Sequence, residues 1–119
     1  MPQPDLEWTV MVYMAADNNL TPNAFQNLFQ MSSVGSTERV HIVAQLDPDG
    51  IFSPAQRHFV TIGGGLKSEN LRREPNAGSV DDFVSFVRWA VNNGHKAKKY
   101  LLVLWGHATG VSVNEDDES

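Results

Sequence analysis

Trp8, Thr9, Val10, Met11, Val12, Tyr13, Met14, Ala15 and Ala16 form a nearly unbroken apolar run. Nine residues are too few for an apolar helix of ordinary length. The Val and Tyr content favours a strand buried on both faces, the mark of a parallel sheet. Asp17, Asn18 and Asn19 end the run. Thr21 then suits a helix N-cap, with Pro22 at the first helical position, where a missing N–H costs nothing. Ala24, Phe25, Leu28 and Ser32 follow at helical spacing, with Phe29 beside them. A short amphipathic helix is expected there.

The same reading carries on along the chain. Gly35 and Ser36 break the helix, and Val40 to Leu46 reads as a second buried strand. Asp47, Pro48, Asp49 and Gly50 spell a turn. Arg57 to Ile62 alternates loosely and is expected as a peripheral strand or hairpin arm. Gly63, Gly64 and Gly65 end it, and Lys67 to Gly78 reads as a polar loop. Ser79 opens the clearest helix. Val80, Phe83, Val84, Val87, Ala90 and Val91 share one face, and Asp81 and Asp82 suit the positive end of its dipole. Asn92, Asn93 and Gly94 stop it at a left-handed cap. Tyr100 to Trp105 is a third buried strand that runs directly into Gly106 and His107.

The expected order is therefore strand, helix, strand, helix, strand, an α/β pattern with both helices against a mainly parallel sheet. Three strands buried on both faces need more cover than two helices give. The fold is expected to be incomplete as written, and the isolated chain to self-associate or precipitate through its third strand. Residues 1–113 are assigned to one domain and 114–119 to an acidic, disordered tail.

Composition narrows the function classes. The chain has 119 residues, 41% of them hydrophobic, which suits one small globular domain. A formal net charge of -5 argues against a nucleic-acid surface. The densest basic group, Lys96, Lys98 and Lys99, is read as a solvated loop. There is no cysteine, which excludes disulfides, cysteine-rich zinc sites and a thiol nucleophile encoded in this chain. No signal peptide and no membrane-length apolar run is visible, so a cytoplasmic location is the expectation, with no membrane partner.

In an open parallel sheet, reactive groups gather beyond the carboxyl ends of the strands. Asp17 and Asn18 follow the first strand, Asp47 the second and His107 the third. An imidazole at such a tip is well suited to accept and return a proton near neutral pH. Gly106 before it and Ala108, Thr109 and Gly110 after it leave room for a peptide backbone. On position alone, a catalytic and a structural His107 are equally compatible with the sequence.

The opening WTVMVYMAADNNL and the later LLVLWGHATG resemble the two N-terminal signatures of the clostripain-like cysteine peptidases, family C11, which have a caspase-like three-layer fold. The likeness runs from Trp8 to Gly110 with the elements in order. It implies that His107 is the general base serving a cysteine thiolate. It also implies that the N–H of Ala108 lines the oxyanion hole, where family members usually carry Gly. Asp17 and Asn18 would lie at the rim of the primary specificity pocket, with an acidic group suited to Arg or Lys in the substrate. The same pair also serves simply as a turn.

The family's cysteine lies downstream of the histidine, and several members are cut between the two into associated light and heavy chains. The resemblance thus implies a light chain, a cysteine-bearing heavy chain of the same precursor as partner, and a peptide or protein substrate. Ser119 fits poorly with a cut after Arg or Lys. The alternatives are a catalytically inactive caspase-like interaction module and an unrelated flavodoxin-like binding domain, for which no cofactor fingerprint is present.

Other signals are set aside. The stretch from Gly63 to Ser68 lacks the spacing of a phosphate loop. Some family members respond to calcium, but Asp47, Asp49 and the tail carboxylates match no calcium-loop pattern, so neither metal nor cofactor is expected. His41, His58 and His95 show no metal-ligand spacing. Ser112 has no supporting group for a serine nucleophile.

Overall fold

β1 (Leu6–Ala16) lies between two parallel neighbours, β2 (Val40–Pro48) and β5 (Ala97–Gly106). The computed structural model describes residues 6–16, 21–48, 55–71 and 80–106. Within them, two antiparallel strands, β3 (Gln56–Val60) and β4 (Leu66–Asn70), extend the sheet beyond β2. The strand order is β4-β3-β2-β1-β5.

Because side chains alternate along a strand, β1 faces two cores at once. Val12 and Met14 join Ala44 and Leu46 of β2 beneath Ala24 and Leu28 of α1 (Thr21–Val34). Met11 and Tyr13 join Val43 on the other face, beneath Phe86 and Ala90 of α2 (Val80–Asn92). One helix on each face makes a three-layer α/β/α sandwich, as the sequence pattern predicts.

Three expectations need correction. The polar loop assigned from Lys67 contains β4, whose Lys67, Ser68, Glu69 and Asn70 are exposed. Nothing apolar marks it, because the strand is made by backbone pairing to β3 and presents its side chains to solvent. The buried face of α2 is also rotated from the expected one. Val80 is 74% exposed and Val84 38%, whereas Phe86 is fully buried. The stripe that packs centres on Phe83, Phe86, Val87 and Ala90, with Tyr13 edge-on to Phe83 at 5.5 Å. The basic residues Lys98 and Lys99 belong to β5 rather than to a loop. Lys98 lies 3.5 Å from Glu7, and Lys99 sits over the Trp8 ring.

Helix ends follow the backbone rules. Gly94 takes a left-handed φ of 96°, and the His95 N–H reaches back to the Ala90 carbonyl at 3.0 Å. At the end of α1, Gly35 (φ 86°) packs against the turn after β3. A Cβ there would lie 2.6 Å from the Gly64 nitrogen, so only glycine fits.

The rotated α2 face has a measurable consequence. Phe86→Ala should destabilise the fold by about 3–5 kcal/mol, whereas Val84→Ala should cost well under about 1 kcal/mol. Urea unfolding midpoints of the two variants check this, and equal losses would contradict the packing described.

Candidate functional site

The carboxyl ends of three strands reach the same sheet edge. In register, Ala15 of β1 pairs with Asp47 of β2 on one side and with Gly106 of β5 on the other, and Ala16 pairs with Pro48. This is the edge at which an open parallel sheet collects its reactive groups. The residues next in sequence, Asp17 and Asn18 after β1 and His107 and Ala108 after β5, lie outside the described residues. What the fold supplies is the adjacency of the two strand ends that lead to them.

One register row below the edge on the α2 face, a polar assembly spans the sheet. Leu104, Tyr13, Gln45, Arg57 and Glu69 occupy that row in turn across the five strands. Gln45 is buried, and its Oε1 accepts a hydrogen bond from Arg57 Nε at 2.9 Å. Arg57 also donates to Ser85 Oγ of α2 at 2.9 Å and lies 5.6 Å from the centre of the Trp89 ring. Burial pushes the Arg57 pKa down, opposed by the nearby Glu69, Asp82 and Tyr13. The guanidinium pins α2 to β2 and β3 just beneath the edge where strands β1 and β5 end. No sequence motif marks Arg57; only the strand register brings it beside Gln45.

The other histidines are structural in placement. His58 is buried on the α1 face between Ser68 Oγ at 2.6 Å and Gln56 Oε1 at 3.0 Å, and burial lowers its pKa. His41 and His95, fifty-four residues apart, meet at the opposite end of the sheet with Nδ1 atoms 2.9 Å apart. Spacing along the chain could not reveal that pair. Among the described residues there is no group of three or more His, Asp or Glu able to hold a metal ion. No described helix is long and apolar enough to cross a membrane.

The two borders of the sheet differ sharply. β4 presents Lys67 and Glu69, charges that discourage further pairing. β5 presents Leu101, Leu102 and Leu104 at 50%, 47% and 66% exposure, with Tyr100 beside them. Leu102 and Leu104 pair with Met11 and Tyr13 and so share the α2 face, which α2 covers over β1 and β2 but not over β5. On the other face Val103 and Trp105 are partly buried against the α1 core. On its outer side β5 has no described neighbour, and it carries bulky apolar side chains on both faces.

No family model matches the chain, and no curated protein does. Its architecture does match solved structures. The chain has the fold of the C11, clostripain-like cysteine proteases. It is similar to a cysteine protease of B. fragilis, with a TM-score of 0.76 and 22% identity over 95% of this chain and 98% of that one. It is similar to a clostripain of Bacteroides thetaiotaomicron solved with a peptide inhibitor, at 0.73 and 19% over 94% and 99%. An inactive zymogen C11 protease of Parabacteroides distasonis matches at 0.72 and 19%, over 88% of this chain but only 31% of its own. At these identities the likeness establishes the caspase-like C11 fold, in agreement with the resemblance read from the two sequence signatures.

The apolar border should show itself in solution. Sedimentation of the isolated chain should reveal self-association or precipitation, and Leu102→Lys with Leu104→Glu should shift it toward monomer. A wild-type chain that is monomeric and melts cooperatively would show that β5 needs no cover.

Proposed function

We propose that this chain is the histidine-bearing light chain of a clostripain-like cysteine endopeptidase, acting with a cysteine supplied by a heavy chain of the same precursor. The observation that carries the reading is the parallel pairing of β1 and β5 in a C11 fold whose β5 border is left open and apolar. His107 follows β5 directly, at the edge where such sheets collect their reactive groups. The chain encodes no thiol. In this reading the thiol comes from the heavy chain, which would also cover the β5 border. Similar C11 chains come in two extents, one matched over nearly its whole length and one for about a third. A light chain working with a heavy chain suits both.

In this reading His107 takes the proton of the cysteine thiol, and the thiolate attacks the substrate carbonyl. The imidazolium then returns the proton to the leaving amine, and water hydrolyses the acyl-enzyme. The N–H of Ala108 contributes to the oxyanion hole, where each such donor stabilises the negative oxygen as it forms. Asp17 and Asn18, next after β1 in sequence, border the pocket for the substrate residue before the scissile bond. A carboxylate there suits a basic side chain. No metal is required for this chemistry, and calcium has no assigned role in it.

The test uses the protein together with its co-purifying polypeptide. A thiol-directed, peptide-based covalent probe should label the partner and not this chain. His107→Ala should lower kcat/KM by about 100-fold or more, the usual contribution of a positioned general base. Asp17→Asn should raise KM for substrates with Arg or Lys at the cleavage site. Absence of labelling in a stable complex would favour an inactive interaction module of the same fold.

A further inference from the structure

At the end of the sheet opposite the candidate site, His95 ties three elements together. Its backbone N–H closes α2 onto Ala90, and its carbonyl accepts a hydrogen bond from the buried Thr9 Oγ1 of β1 at 2.6 Å. Its ring meets His41 of β2 through the two Nδ1 atoms at 2.9 Å. β5 begins two residues later, at Ala97. The rings sit in an aromatic box, with Phe59 centred 4.6 Å from His95 and 4.8 Å from His41, and Trp89 5.8 Å from His95. His95 is only 6% exposed.

We propose that the His41–His95 pair is an acid-sensitive latch whose protonation frees the junction between α2 and β5. The geometry sets the constraint. Two Nδ1 atoms at 2.9 Å share one hydrogen, so one ring donates and the other accepts. A doubly protonated pair would aim two N–H groups at each other and cannot keep the contact. A single added proton would have to sit among aromatic rings, where a charge is poorly solvated.

The surroundings offer the proton no anionic partner among the groups that shift His95. From β2 the facing titratable group is His41 itself, and from β4 it is Lys67; both charges oppose protonation of His95. β3 contributes Phe59, α2 contributes Trp89 and β1 contributes the Thr9 hydroxyl, none of them anionic. Burial, with those two charges, lowers the His95 pKa to about 4, and burial lowers that of His41.

The sign follows directly. A histidine whose folded pKa lies below its unfolded value of about 6.5 contributes stability that is complete above that value. The contribution is lost as pH falls toward the folded pKa, here about 4 for His95. Between those limits, each ring kept neutral by the latch raises the opening equilibrium up to about tenfold per pH unit. The opening is expected to be local, because the α1–β3 contact at Gly35 and Gly64 and the backbone pairing of β2 with β3 from Ile42 to Leu46 involve neither ring, although Phe59 of β3 packs against both. The latch does not depend on any peptidase role.

Hydrogen exchange of the protein with its co-purifying polypeptide, corrected for intrinsic pH dependence, reads the opening. Protection of residues 93–100 should fall about tenfold or more between pH 6.5 and pH 4.5, while residues 40–46 stay protected. In His41→Asn, whose amide can still bond to His95 Nδ1 but does not titrate, that fall should shrink several-fold. An undiminished fall in the variant, or an equal loss across the whole sheet, would overturn the proposal. Imidazole nitrogen shifts give an independent readout that needs no variant. His95 should remain neutral down to about pH 5, and titration near pH 6.5 in the folded protein would overturn the latch.

Discussion

β1 must bury both of its faces, and the rest of the molecule is arranged around that demand. Met11 and Tyr13 require α2, Val12 and Met14 require α1, and β2 lines up beside β1 with the same alternation. Two helices satisfy β1 and β2. They do not reach across β5, where Leu102 and Leu104 continue the face begun by Met11 and Tyr13 without a helix above them. Covering what remains exposed of each would contribute about 1–2 kcal/mol, since both are already partly buried. The open border is therefore the largest apolar feature that the described sheet leaves to solvent, and it lies on one side only.

That border and the proposed chemistry fall on the same strand. The strand with the uncovered border is the strand that His107 follows, and the described sheet contains no thiol for an imidazole to serve. The opposite border carries exposed polar residues on β4, among them Lys67 and Glu69, whose charges discourage further pairing. Beneath the edge, Arg57 fastens α2 to β2 and β3 through Ser85, Trp89 and Gln45. These contacts tie the elements together below the ends of β1 and β5, the edge at which the proposed site would be assembled.

Much of the architecture was legible in the amino-acid order, for a simple reason. A strand buried on both faces writes itself as an unbroken apolar run, as β1 does; β2 is interrupted by His41 and Gln45, and β5, expected as a third buried strand, is apolar but leaves Leu101, Leu102 and Leu104 exposed. β4 was not legible because backbone pairing alone makes it a strand. The face of α2 was misjudged because Val80 and Val84 share the apolar character of Phe86 but not its angular position. The pairings of His41 with His95 and of Gln45 with Arg57 exist only once the strands are in register. For the candidate site, the sequence supplied the residue types and the structure supplied the adjacent strand ends. Asp17, Asn18, His107 and Ala108 lie outside the described residues.

Native mass spectrometry of the intact protein, isolated without denaturant, tests the dependence on a second polypeptide most directly. A one-to-one assembly of this chain with a cysteine-bearing chain is predicted, with the β5 amides losing their protection when the two are separated. A stable species consisting of this chain alone, with β5 equally protected, would contradict it.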